Sequence, residues 1–506
     1  MFSPITRRRF VTGAVQGGVL AGLADFSFLT ALPPAGASGP PVLPHVASVS
    51  SDIEPLVRLI EATPRDTLLE RIAGQIRGGT SYQQLLSAVF LAGVRGIQPR
   101  PVGFKFHAVL VINSAHLASL AAADQDRWLP LLWAIDNFKA SQGRNRKEGD
   151  WHLAPAQEGR LPSASAARKR FVAGMDDWDV EGVDRAVVSL CRAEGAAETM
   201  ELFWRYAARD FRDIGHKVIY AANGYRTLQT IGWRHAEPVL RSLAYAMLEH
   251  EDGNPARRDD WRDAPGRANQ KRAAKMTGFR HAGSRSEKAT KDVLEAVRSG
   301  SAGDVPGTIA GLIDKGVHPA SVWDGLFLAA GELLMRQPGI VGLHTLTSTN
   351  ALHYAYQTSG VPTTRAYLLL QAGAFLPLFR DAMKGRGKLA GLRVDADEKA
   401  EVKGGVGEIF ADVSRDRTLA ARKTRALLGS SPSEIGPLMA AARRLVFAKG
   451  NDSHDYKFSS AVLEDVYSLP AAVRPAFLAA SMYHLRGSGD RDNTLIRRAR
   501  AALGKA

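Results

Sequence analysis

The 506-residue sequence predicts an all-α protein, a large helical body built from two tandem, related halves, and three observations predict it. Apolar residues recur at spacings of three and four along most of the chain, the signature of one buried helix face. Runs alternating every second residue over a strand length are nearly absent. Thirdly, pattern elements repeat at a fixed offset: His107 and His116 stand nine apart, as do His344 and His353, and the two pairs lie 237 residues from each other. Phe90-Leu91-Ala92 falls on Phe327-Leu328-Ala329 and Pro238 on Pro475 at that offset, while Gly215-His216 falls on Ser453-His454 at 238. A shared spacing over several elements implies an internal duplication with the halves related by a pseudo-twofold axis.

The first element in order is not part of the fold. Thr6-Arg7-Arg8-Arg9-Phe10-Val11-Thr12 fits a twin-arginine export signal, followed by a weakly apolar Gly/Ala region and Ala35-Gly36-Ala37 as a cleavage site, so residues 1–37 are expected to be a signal peptide. Asp25 interrupts the apolar run and argues against a membrane span. The expected location is the periplasm or another extracytoplasmic space, and the export machinery is the expected partner. Residues 38–51 form a Pro/Ser-rich leader without periodicity.

The first helical half, 52–251, begins with apolar positions at Leu56, Leu59 and Ile60, then Leu68, Leu69, Ile72 and Ile76, then Leu85, Leu86, Val89 and Phe90. Pro64 and Gly78-Gly79 punctuate these runs as helix ends do. Residues 104–137 supply two helices, the first carrying His107. The polar, Gly/Pro-rich stretch 140–165 reads as a surface excursion, and helices resume at 180–192, 196–209, 214–230 and 235–249. A charged segment of mixed sign, 252–287, reads as a linker or insertion. The second half, 288–506, repeats the plan with helices near 288–299, 305–315, 319–335, 341–356, 363–382, 432–448, 454–467, 470–485 and 489–503. Between them, glycines at 385–388 and 404–405 mark a loop-rich interval.

Composition narrows the function classes. The formal net charge is +15, but the basic residues are dispersed and form no continuous basic face interleaved with aromatics, so nucleic acid is not an expected partner. The single cysteine, Cys191, excludes an intramolecular disulfide framework and any thiolate metal cluster.

What remains are histidines. The duplication singles out His107, His216, His344 and His454, each near the start of an apolar helix. A buried imidazole needs a hydrogen-bond partner or a metal. Two copies of a two-histidine unit about a twofold could present four imidazoles to one point, a donor set suited to Fe, Cu, Zn or Ni rather than Mg or Ca. The alternative is four satisfied core histidines. His116 and His353, nine residues along the same helices, fall on the opposite face and read as supporting or structural groups.

Lys457 breaks the symmetry. It follows His454 by one helical turn, where the first half has Ile219. A buried lysine shifts toward the neutral amine, which can act as a base or take up CO2 to give a carbamate, a carboxylate-like ligand. The alternative is a lysine snorkelling to the surface.

Here a family resemblance enters. Asn451-Asp-Ser-His454-Asp-Tyr-Lys457 resembles the Asp-Ala-His-x-x-Lys segment of the questin oxidase-like proteins. Leu343-His344-Thr-Leu-Thr-Ser-Thr-Asn-Ala351-Leu resembles their His-x-x-Thr-x-x-x-Ala-Leu segment, and Gly215-His216-Lys-Val-Ile219 their His-x-x-Ile segment. Phe106-His107 stands where they usually carry Asn-His. The resemblance implies a helical protein with a mononuclear non-haem iron, Fe(II), held by His107, His216, His344, His454 and a carbamylated Lys457, oxidising an aromatic or quinone-like substrate with O2. Two other readings stand beside it: a zinc-dependent hydrolase using the same residues, and a non-catalytic helical scaffold in which the four histidines do not converge. Phe106, Trp204, Tyr220, Trp233, Trp323 and Tyr354 are the expected ring-binding aromatics, or else plain core.

Overall fold

The computed structural model describes residues 45–250, 254–276, 279, 283–398 and 400–504. The expected signal peptide, residues 1–37, lies outside the described residues, as do most of the leader and parts of the 252–287 segment. Among the described residues the architecture is α-helical throughout, with no strand beyond an isolated bridge between Ser284 and Val317.

Local chemistry sets many helix boundaries. The helix Tyr82–Gly96 starts with a reciprocal capping box between Ser81 and Gln84, and Ser453–Asp465 with one between Asp452 and Asp455. Asp179 and Asp416 cap Val180–Ala193 and Arg417–Ser430, while Pro319 and Pro362 open Pro319–Arg336 and Pro362–Lys384 at positions where a missing N–H costs nothing.

Three stretches depart from the sequence expectation. The helix Leu129–Lys147 continues well into the expected surface excursion, and Ala164–Asp177 forms a further helix at its end. The charged segment contains the helix Ala264–Ala273, held by Asn269 Nδ2 donating to Gln371 Oε1 (2.8 Å) and by Arg212 paired with Asp260 and Asp263. The glycine-marked interval contains Gly405–Val413 and Arg417–Ser430. In each case polar side chains earn helical order through long-range ion pairs and packing, which a local pattern does not display.

Four helices form the centre. They are Ile112–Ala121, with the short turn His107–Leu110 before it, then His216–Ile231, Ile340–Thr358 and Ser453–Asp465. The first packs on the second and fourth, and the third packs on the same two, closing a ring. Exchanging first with third and second with fourth leaves these contacts unchanged, an arrangement compatible with a pseudo-twofold; the duplication itself rests on the sequence offsets. Residues lying one, two and three turns after the histidines line one common chamber, so all four helices run in the same direction away from the histidine end. The remaining helices wrap this ring, and a single continuous apolar core joins them. By length and composition Phe104–Ala121 could cross a membrane, but it is interrupted at Val111 and mostly buried in the bundle.

Candidate metal centre

The structure brings His107, His216, His344 and His454 together at the shared N-terminal end of the bundle, with one ligand atom from each lying within 4.8 Å of all the others. His216 Nε2 is 3.1 Å from His107 Nε2 and 3.0 Å from His344 Nε2.

The outward-facing nitrogens explain why the inward ones are free to bind. His107 Nδ1 donates to the Phe104 carbonyl (2.8 Å), His216 Nδ1 to that of Asp213 (2.6 Å) and His344 Nδ1 to that of Ile340 (2.5 Å). A carbonyl only accepts, so the hydrogen of each neutral ring sits on Nδ1 and the lone pair on Nε2 faces inward. His454 Nδ1 lies 3.2 Å from the Asp452 carboxylate, and its Nε2 is buried without a partner.

Unusual backbone aims two of those carbonyls. Gly103 and Phe104 have positive φ (117° and 33°) just before His107, and Asp213, Ile214 and Gly215 have φ of 54°, 46° and 80° just before His216. For β-branched Ile214 this conformation is strained and must be held by its surroundings. A buried ion cluster does so. Lys217 Nζ donates to Asp210 (3.0 Å), Asp210 accepts from the Arg212 amide (3.0 Å), and the Arg212 guanidinium grips Asp263 through two bonds of 2.6 and 2.7 Å.

Electrostatics keep the imidazoles of His107, His216 and His344 neutral. Burial drives the pKa of His107 and His344 far below the ordinary histidine value, and Lys457 and His454 push them further down. For His216 burial acts first, then His344 and Lys457. The N-termini of His216–Ile231, Ile340–Thr358 and Ser453–Asp465 add positive potential of the same sense. Lone pairs facing each other at about 3 Å repel unless a cation or proton lies between them, so the donor set fits a metal ion.

Lys457 is buried beside this cluster. Its Nζ has no hydrogen-bond partner among the described residues, and burial lowers its pKa to about 7. Lys457 lines a chamber of about 10 Å³, room for roughly one water, whose walls include Asn113, Asn223 and Asn350. Ile219, the residue Lys457 replaces in the pattern, lines the same chamber.

His116 and His353 stay outside the cluster. His116 Nδ1 lies 3.2 Å from the Tyr82 hydroxyl, and His353 packs among Trp323, Phe327 and Tyr356. The six aromatics expected to bind a ring line neither this chamber nor the groove described below. Phe106 packs on Tyr220, Trp204 on Tyr225 and Tyr354, Trp233 on Tyr225, and Trp323 on Phe327; Phe106, Trp204, Tyr220 and Trp323 are core, and the half-buried Trp233 and Tyr354 pack against it. The sequence reading overlooked the three asparagines, Arg226 and Glu464. A signal was present: Asn113 and Asn350 share the offset of 237, and Arg226 and Glu464 that of 238.

Fold and site together define a helical protein whose four-histidine centre could bind a metal ion. No family model, curated protein or solved structure matches the chain.

Proposed function

We propose that this protein is a mononuclear non-haem iron oxygenase, exported in folded form by the twin-arginine route, that oxidises an aromatic or quinone-like molecule with O2. The observation that carries the reading is the convergence of four imidazoles from widely separated helices. The scaffold alternative required separated rings, and a spread of 4.8 Å speaks against it.

Four imidazole donors suit iron and zinc alike, and iron is the choice that the family resemblance implies. Bound iron would supply the activation of O2, which is otherwise inert toward closed-shell organic molecules.

The chain's own residues do the rest. The Nδ1 bonds to backbone carbonyls orient the rings of His107, His216 and His344 and fix their tautomer. Lys457, as a free amine near pH 7, is suited to attack CO2: an N–C bond forms, one C=O bond becomes C–O⁻, and a proton leaves to water. The resulting carbamate would turn an unpartnered amine into a fifth, anionic ligand. Folding before export would let iron be inserted in the cytoplasm, ahead of copper and zinc, which outcompete it at nitrogen ligands.

Elemental analysis of protein purified after native export tests this. The expected result is about one equivalent of iron per chain, lost in His344→Ala and His454→Ala, with O2 consumed alongside an aromatic substrate. Less than about a tenth of an equivalent of any transition metal would falsify the proposal. Stoichiometric zinc without O2 consumption would replace it with the hydrolase reading.

A further inference from the structure

A groove opens beside the metal centre, on an adjoining face of Ser453–Asp465. It is a cavity of about 350 Å³ between that helix, Ile112–Ala121 and Ile435–Lys449, within the range of small-molecule sites. Leu117, Val446 and Leu463 give it apolar walls. Leu120 and Tyr467, two of the few large apolar side chains exposed among the described residues, also line it.

Its polar groups point to the charge of a ligand. Arg443 lines the groove half-buried, with no hydrogen bond or ion pair among the described residues. The only carboxylate in the lining, Glu464, is already engaged by Arg226 (2.5 Å) and Asn350 (2.8 Å), so Arg443 is the uncompensated charge. Tyr456, another wall residue, stacks on Trp133 and has a buried hydroxyl without a partner. An apolar slot with one unpaired guanidinium and an unsatisfied phenol complements a flat apolar anion.

The groove also adjoins the metal centre. It shares Leu117, Ser460 and Glu464 with the chamber that Lys457 borders, and the Ser460 hydroxyl donates to that of Ser114 (2.8 Å) in its floor. A ring seated there lies one layer of side chains from Lys457.

We infer that this groove binds a ring compound carrying a carboxylate or sulfonate, its acidic group on Arg443 and its rings between Leu117, Val446, Leu463 and Tyr467. That the occupant is the substrate rests on the oxygenase reading; that the groove binds such an anion does not.

Two fluorescent dyes that differ by one sulfonate test it: 8-anilinonaphthalene-1-sulfonate and its neutral analogue N-phenyl-1-naphthylamine, titrated into the metal-loaded protein. The expected result is saturable binding of one sulfonate dye per chain, about tenfold or more tighter than the neutral dye. Arg443→Gln should erase that preference and Arg443→Lys keep most of it. Ala121→Trp, an exposed groove position, should weaken both dyes. Absence of saturable binding, equal affinity for the two dyes, or a preference that survives Arg443→Gln overturns the inference. Metal-free His344→Ala protein that still binds the sulfonate dye would separate the fate of the groove from that of the metal proposal.

Discussion

Arg226 and Glu464, each ten residues beyond its own histidine and 238 residues apart, meet across the bundle in an ion pair of 2.5 Å. Asn350 donates to both Glu464 and Asp465 (2.8 Å each), and the Arg226 guanidinium lies 3.8 Å from the centre of the Tyr354 ring. The pair therefore ties three of the four central helices together beyond the chamber. Its members are unequal, because the Arg226 side chain is 10% exposed and that of Glu464 41%. Arg226→Ala removes the ion pair and the ring contact, and is expected to cost about 1–3 kcal/mol. Glu464→Gln leaves Arg226 an acceptor in the Gln oxygen and its 3.1 Å bond to Asn223 Oδ1, and should cost under about 1 kcal/mol. Urea denaturation of the two variants checks the order; equal costs would refute the asymmetry.

Lys457 offers a direct contest between stability and metal binding. A buried amine without a partner destabilises the metal-free fold, so Lys457→Met should stabilise metal-free protein by about 1–3 kcal/mol. The same substitution should weaken metal affinity at least about tenfold if Lys457 supplies a ligand. Competition with a chromophoric chelator measures the second effect, and unchanged affinity would remove Lys457 from the site.

Gly215 is predicted to be irreplaceable for two separable reasons. Its φ is 80°, and a Cβ there would stand 2.2 Å from Ser348 Oγ. Gly215→Ala should cost about 2–4 kcal/mol and lower metal occupancy by displacing His216. Adding Ser348→Ala removes the hydroxyl and should recover part of that loss, leaving the backbone component. A double-mutant cycle read by thermal unfolding and by metal content tests the split; simple additivity would show that the hydroxyl clash is not the cause.

His353 predicts acid sensitivity. Burial among aromatic rings lowers its pKa from 6.5 to about 3, with the positive charge of Arg226 acting in the same sense. Between those values the unfolded chain binds a proton that the folded chain excludes. The stability is therefore full above about pH 6.5 and falls as pH drops toward 3. His353→Phe should flatten this limb, by on the order of 2 kcal/mol at pH 4.5 relative to pH 7. Part of the slope should persist, because His484 is lowered to about 4 by burial. Urea unfolding at the two pH values decides, and an unchanged slope would show that His353 does not contribute.

Legibility varied with the range of the interaction. The helices around Leu68, Leu85, Val293 and Leu326 announce themselves because one buried face repeats every turn. The helices 164–177, 264–273 and 405–413 do not, since each is polar or glycine-rich locally and depends on distant partners such as Gln371 for Asn269 and Lys423 for Asp412. Among the aromatics, spacing alone could not tell a wall from a core: Trp204 and Tyr220 turned inward, while Tyr456 and Tyr467, on the Lys457 helix and just beyond it, line the groove.

The four histidines were selected by sequence alone, because a repeated offset survives in the chain whatever shape it takes. The helical class was likewise settled there, since amphipathic periodicity is a local property. Only the tertiary structure decided that the four helices run parallel, that Nε2 rather than Nδ1 faces inward, and that Lys457 is sealed beside the rings. Those facts depend on which helices, more than a hundred residues apart, pack against each other, and on three carbonyls, two of them aimed by left-handed backbone, which claim the outer nitrogens first.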